Sequence, residues 1–138
     1  MPAFKEAHIQ DAIVGVLEQL RALGLLNYYV NIEGGRRDIR QQVQLKRAGV
    51  RPGRPDLQLL LDEGKSIHIE VKLAPKGRLS EHQKSEIQTN ERLGHRTYVV
   101  KAATPEEATA ELWGILDAQG AIKKCATEPK TMPIGCST

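Results

Sequence analysis

Asp56 is followed, after a gap of 13 residues, by Glu70-Val71-Lys72. Glu70 and Lys72 stand two positions apart, so on an extended strand their side chains leave the backbone on the same side. Hydrolysing a phosphodiester requires a water made nucleophilic near neutral pH and positive charge to offset the phosphate, and a carboxylate-bound Mg²⁺ supplies both. Mg²⁺ takes hard oxygen ligands and retains waters, so Asp56, Glu70 and the backbone carbonyl of Val71 suffice as an inner shell. Lys72 can then position or help deprotonate the attacking water. The bland reading of Glu70 and Lys72 is a surface ion pair on an exposed strand face. The chemistry requires Asp56 to sit next to them.

That adjacency is predicted by the segments around the three residues. Pro55 precedes a strand expected over Asp56–Leu61, and Asp62-Glu63-Gly64-Lys65 reads as a turn. The return strand, Ile67–Lys72, alternates strictly, sending Ile67, Ile69 and Val71 to one face and His68, Glu70 and Lys72 to the other. A hairpin between the two strands brings Asp56 opposite Glu70.

The other elements follow from periodicity and caps. Apolar residues Ile9, Ile13, Val16, Leu17, Leu20 and Leu23 recur at helical spacing over Glu6–Leu23, with Gly24 as the stop. Leu26–Ile32 reads as a strand closed by Gly34-Gly35. Ser80-Glu81-His82-Gln83 has the capping-box pattern and opens a helix to about Leu93, with Gly94 after it. Thr97–Lys101 reads as a strand, and Thr104-Pro105-Glu106-Glu107 opens a last helix with Ala108, Leu112, Ile115 and Leu116 on its buried face. Trp113 adjoins that face and is expected to be a packing anchor. These elements predict an α/β fold, a mixed sheet flanked by helices.

The net charge of +3 is unevenly distributed. Arg36, Arg37, Arg40, Lys46, Arg47, Arg51 and Arg54 face a single acid, Asp38, over residues 36–54, so that stretch carries +6 and the rest of the chain −3. Such a patch suits a nucleic acid, because phosphate-bound lysine and arginine release condensed counterions. All seven are candidate nucleic-acid contacts, with Arg51 and Arg54 the best placed to clamp phosphates near Asp56. The bland alternative is a solvated loop. With Gly49, Pro52 and Gly53 at its end and few apolar residues, the stretch is expected to be mostly loop, mobile without ligand, with a short strand around Gln42–Leu45.

A hydrophobic fraction of 40% and a charged fraction of 27% exclude a disordered or fibrous chain. The longest apolar runs, such as Leu59-Leu60-Leu61, fall far short of a membrane span. The N-terminus lacks the basic and apolar regions of a signal peptide, so the expected location is cytoplasmic. Cys125 and Cys136, separated by ten residues, have no zinc-ligand spacing and are expected to be free thiols. One domain is expected over residues 1–118, followed by a flexible C-terminal tail over 119–138.

Pro55-Asp56, the gap, and Glu70-Val71-Lys72 together resemble the PD-(D/E)XK signature of restriction-endonuclease-like nucleases. Glu6 and Gln10 on the first helix, the approach Gly53-Arg54-Pro55-Asp56 and the run Gly77-Arg78-Leu79-Ser80-Glu81-His82-Gln83 are similar to the VRR-NUC (virus-type replication-repair nuclease) branch. The resemblance runs from about Glu6 to Leu116. It implies a restriction-endonuclease-like core of αβββαβ type, Mg²⁺ or Mn²⁺ dependence, and endonuclease action on DNA, with compact members resembling dimeric Holliday-junction resolvases. It further implies Asp56 and Glu70 as metal ligands, Lys72 as the catalytic lysine, Gln83 as a supporter of the site and Glu6 as an additional acid.

Each of the outlying residues keeps a simpler reading. Gln83 is at the third helical position after Ser80, where it can serve as a cap. Glu6 is in a first helical turn, where the helix dipole favours an acid. His68 shares a face with Glu70 and Lys72 and suits a structural or phosphate-contacting role better than that of general base. The leading expectation is a metal-dependent, structure-selective DNA endonuclease acting as a homodimer on branched or junction DNA. The alternatives are a catalytically inactive DNA-binding module of the same fold and an RNA nuclease.

Overall fold

A computed structural model of the chain describes residues 3–31, 38–49 and 52–121. The elements run α1 (Glu6–Ala22), β1 (Asn27–Val30), α2 (Ile39–Arg47), β2 (Leu57–Leu60), β3 (Ser66–Leu73), α3 (Glu81–Arg92), β4 (Arg96–Ala102) and α4 (Pro105–Ala118), with one 3₁₀ turn at Asp62–Gly64. The four strands form one sheet in the order β1-β2-β3-β4. β2 pairs antiparallel with both β1 and β3, and β4 joins β3 in parallel. A parallel neighbour needs a crossover, and α3 provides it. The αβββαβ-type mixed sheet expected from the sequence is present, with one additional helix, α2, in the middle.

The strict alternation of β3 works as its pattern demands. Ile67, Ile69 and Val71 are buried in a core with Ile9, Ile13 and Leu17 of α1 and Ala108, Leu112 and Leu116 of α4. Each fully buried leucine or isoleucine contributes roughly 1.5–3 kcal/mol, so this face holds the sheet rigid beneath whatever its other face carries. The opposite face carries His68, Glu70 and Lys72, and Glu70 there is bonded by Gln83 of α3. Trp113 lies outside this core at 44% exposure, so the expected packing anchor is a surface residue. Leu23, read as part of the buried stripe of the first helix, is half exposed because α1 ends one residue earlier.

The basic stretch departs most from expectation. Where loop and a short strand over Gln42–Leu45 were predicted, α2 spans Ile39–Arg47. Its cause is local. Asp38 caps it, its carboxylate accepting from the Gln41 N–H at 2.8 Å while the Gln41 side chain accepts from the Asp38 N–H at 3.3 Å. Lys46 and Arg47 fall in the last turn, where cations suit the helix dipole, and Gly49 follows in a left-handed conformation at φ +93°. No residue of α2 is buried, and its apolar residues Ile39 and Val43 are exposed, so the helix has no stripe packed on the core.

α4 ends at Ala118. The tail beyond 121, with Cys125 and Cys136, lies outside the described residues, as do Arg36, Arg37 and Arg51. Among the described residues no helix is long and apolar enough to cross a membrane.

Candidate active site

The hairpin places the acids. Leu57 pairs with Ile69, so Asp56 stands one residue before β2, across from Glu70. With no further β2 residue to pair, the Asp56 side chain takes over the ladder: its Oδ2 accepts from the Val71 N–H at 2.7 Å. The Asp56 carbonyl accepts from the Asn31 N–H at 2.8 Å, tying the end of β1 to the same point. Asp56 is thus fixed by main-chain bonds on both sides.

Glu70 is 1% exposed, a carboxyl on the face of a central strand. Gln83 of α3 donates from Nε2 to Glu70 Oε1 at 2.7 Å, and Lys72 Nζ lies 3.7 Å from the same oxygen. Burial pushes the Glu70 carboxyl up to about 8; the charge of Asp56 adds to the effect and Lys72 opposes it only in part. Near neutrality this carboxyl therefore holds a proton that a bound cation would displace.

Gln83 both caps α3 and reaches Glu70. Its amide oxygen accepts from the Ser80 N–H at 2.8 Å, and its backbone N–H donates to Ser80 Oγ at 3.1 Å, completing the cap of α3. The amide nitrogen is left to reach Glu70. A single side chain therefore fixes the start of the helix to the carboxylate.

Asp56, Glu70, Lys72 and Gln83 come together, with the Val71 backbone between the two acids. Glu6 does not join them. It is exposed in the first turn of α1, and among the described residues no group of three His, Cys, Asp or Glu is close enough to share a metal ion. Gln10 is half-buried on the same helix. Arg40, Lys46 and Arg47 are exposed on α2, and Arg54 is exposed two residues before Asp56. His68 is half-buried with its pKa lowered, chiefly by burial and further by the charges of His95 and Arg54, which keeps it neutral. Its Nδ1 and the Oγ1 of Thr97, its register partner on β4, are both buried without a hydrogen-bond partner among the described residues.

Gly53 was read only as part of the approach to Asp56, yet it positions the site. At φ +92° it packs main chain to main chain against the first turn of α3, and a Cβ there would lie 2.5 Å from the His82 carbonyl oxygen and 3.1 Å from the Gln83 nitrogen. The segment carrying Asp56 and the helix carrying Gln83 meet at this glycine. Its sequence signal, a glycine three residues before the acid, does not reveal what it touches.

The donor set suits a hard cation. The two facing carboxylates offer only oxygen donors, the kind a hard divalent cation takes. The close approach of two acids, one of them buried, is unfavourable until a positive charge compensates it.

Comparison with curated proteins and comparison with solved structures each give no match. The family model described as the VRR-NUC domain matches residues 6–104, from the start of α1 through β4 to the cap of α4, and takes in Asp56, Glu70, Lys72 and Gln83. The chain belongs to the VRR-NUC family and is a nuclease of the PD-(D/E)XK type.

Proposed function

We propose that the chain is a Mg²⁺- or Mn²⁺-dependent, structure-selective DNA endonuclease that resolves Holliday junctions as a homodimer. The observation that carries the metal dependence is the pairing of Asp56, hydrogen-bonded to the Val71 N–H, with a Glu70 carboxyl buried beside it. Asp56, Glu70 and the Val71 carbonyl would hold the cation. A strand residue directs its N–H and C=O to the same edge, so the Val71 carbonyl opens toward Asp56, as its N–H does. When bound, the cation offsets the charge of the phosphate and makes a water at the site more acidic.

The protein's own groups do the rest. Lys72 orients the attacking water and the phosphate oxygen, its ammonium held near Glu70. Gln83 fixes the Glu70 carboxylate by donating to it, which favours the ionised form. Glu6, exposed and apart from the pair, acts through water, and Glu6→Ala should cost far less activity than Asp56→Ala. Arg40, Lys46, Arg47 and Arg54 contact backbone phosphates, and Arg36, Arg37 and Arg51, outside the described residues, are further candidate phosphate contacts by charge alone.

Junction resolution needs two coordinated cuts and therefore a two-fold dimer. The test is a panel of single-stranded, duplex, flap and four-way-junction DNA, with RNA alongside, incubated with Mg²⁺ or Mn²⁺. Paired cuts on the junction are expected, with the protein dimeric on it by mass. Glu70→Ala should keep its fold and DNA affinity and lose cleavage. If Glu70→Ala cuts as well as wild type the assignment is wrong, and a monomer on junction DNA removes the resolvase form.

A further inference from the structure

Beside Lys72, on the side away from Asp56, the surface opens into a cleft of ≈ 280 Å³ lined, among the described residues, by Lys72, Arg78, Lys84 and Lys101 and by no acid. Leu79 and Val99 supply its apolar wall. Its charges come together for three separate reasons. The parallel register pairs Lys72 with Lys101 and Glu70 with Val99, setting these residues side by side on one face. Gly77 turns the chain back over the end of β3, its N–H donating to the Leu73 carbonyl at 2.7 Å with no room for a Cβ, and so returns Arg78 to the cleft. Lys84 stands on α3 with Glu81 at 3.4 Å, an exposed pair whose mutual hold is weak.

Four cations around one small space repel one another unless an anion joins them. Three of them have no part in the hydrolytic chemistry derived for Asp56, Glu70 and Lys72. The volume is at the low end for a ligand site, enough for one nucleotide unit and too small for a base pair. Lys72 belongs to both places, so an anion in the cleft is a near neighbour of the phosphate being cut.

We propose that the cleft seats one unpaired nucleotide of the cleaved strand, adjacent to the scissile phosphate. Arg78, Lys84 and Lys101 hold its phosphate, and its sugar and base rest against Leu79 and Val99. This rests on the nuclease reading and deepens it, because it makes the cut strand single-stranded at that position.

The test uses the DNA that the full chain cuts best, with the cut mapped, and carries a single uncharged methylphosphonate one position to either side of it. For wild type, one of the two substitutions should lower kcat/KM by about tenfold, the size of a lost charge-assisted phosphate contact. The double variant Arg78→Gln/Lys101→Gln should show that loss on unmodified DNA, mostly in KM, and a further loss with the methylphosphonate well below the wild-type one, since only Lys84 still holds the phosphate. A control on α2, Lys46→Gln/Arg47→Gln, should keep the full sensitivity. If the methylphosphonate costs the double variant as much as wild type, or costs wild type nothing on either side, the cleft does not hold that phosphate. Both substituted residues are exposed, and Lys101→Gln alone repeats the test if the double variant unfolds.

If wild type cuts no substrate, the nuclease reading has failed, and the cleft is judged by affinity for a short single strand across salt concentrations. The slope of log K against log salt should then be shallower in the double variant by about 0.7, the counterion release of the one phosphate in the cleft. An unchanged slope overturns the cleft independently of catalysis.

Discussion

Gly53→Ala should damage both stability and cleavage, and its neighbour Gly49 provides the control. The two glycines have nearly the same backbone, φ +92° and +93°, but a Cβ at Gly49 meets nothing within 4 Å while one at Gly53 meets the His82 carbonyl oxygen at 2.5 Å and its carbon at 2.7 Å. Alanine in the left-handed region costs about 1–2 kcal/mol at either position. At Gly53 the obstructing atoms are backbone, which no rotamer change can move, so the loop and α3 must separate by somewhat less than 1 Å. Overpacking of that kind adds about 1–3 kcal/mol. Gly53→Ala should therefore be about 2 kcal/mol less stable than Gly49→Ala in urea unfolding, with a melting temperature lower by roughly 8 °C. Because the same separation moves Gln83 and Asp56 apart, kcat should fall about 100-fold, the scale for a 1 Å misplacement at a reacting centre. Circular dichroism and a single-turnover cleavage assay read the two effects. Equal stability and equal rates for the two alanine variants would refute the role assigned to the contact.

The Glu70 carboxyl, raised from 4.5 to about 8, keeps its proton in the folded chain where the unfolded chain has lost it. Its contribution to stability is fully present below pH 4.5 and is lost as pH rises toward 8. In EDTA, Glu70→Gln should escape that loss and gain about 3 kcal/mol on wild type between pH 4 and 7, measured by urea unfolding. The same proton must leave when a cation binds, so Mg²⁺ affinity measured by calorimetry should rise with pH up to about 8, with proton release detected by changing the buffer. Ser80→Ala removes only the cap and should cost about 1 kcal/mol with a modest loss of rate. Gln83→Ala removes the Glu70 contact as well and should lower kcat further, so equal rates for the two variants would confine Gln83 to capping. Replacing Arg40, Lys46 and Arg47 with glutamine should reduce the slope of log K against log salt on duplex DNA by up to about 2.7 if all three contact phosphates, and leave kcat near wild type.

The parts of the site that were legible in the sequence are local. Asp56, Glu70 and Lys72 are separated by one tight turn, so a two-residue period and a turn signal suffice to predict their meeting. Gln83 was half legible: its cap is written in Ser80-Glu81-His82-Gln83, whereas its bond to Glu70 depends on where the crossover helix lands. The pairing of Lys72 with Lys101 depends on the same crossover and on a parallel register that no local pattern encodes. α2 went unread for the opposite reason. Its signal is the cap, Asp38 with Gln41 three residues on, and it lacks the buried stripe by which α1 and α4 announce themselves. Trp113 shows the limit of residue type as a guide, since a large aromatic beside a buried face still lies at the surface when Leu112 and Leu116 already fill the core.

The account depends on Asp56 and Glu70 forming one metal site for phosphodiester cleavage. Its most direct test is the cleavage rate on mapped substrate as a function of Mg²⁺ concentration, for wild type, Asp56→Asn and Glu70→Gln, with EDTA as the zero point. Wild type should saturate with Mg²⁺ and be inactive in EDTA, while both folded variants lose at least 100-fold at every concentration, as expected when one of two ligands no longer carries charge. Wild-type cleavage in EDTA, or either variant cutting at the wild-type rate, would contradict it.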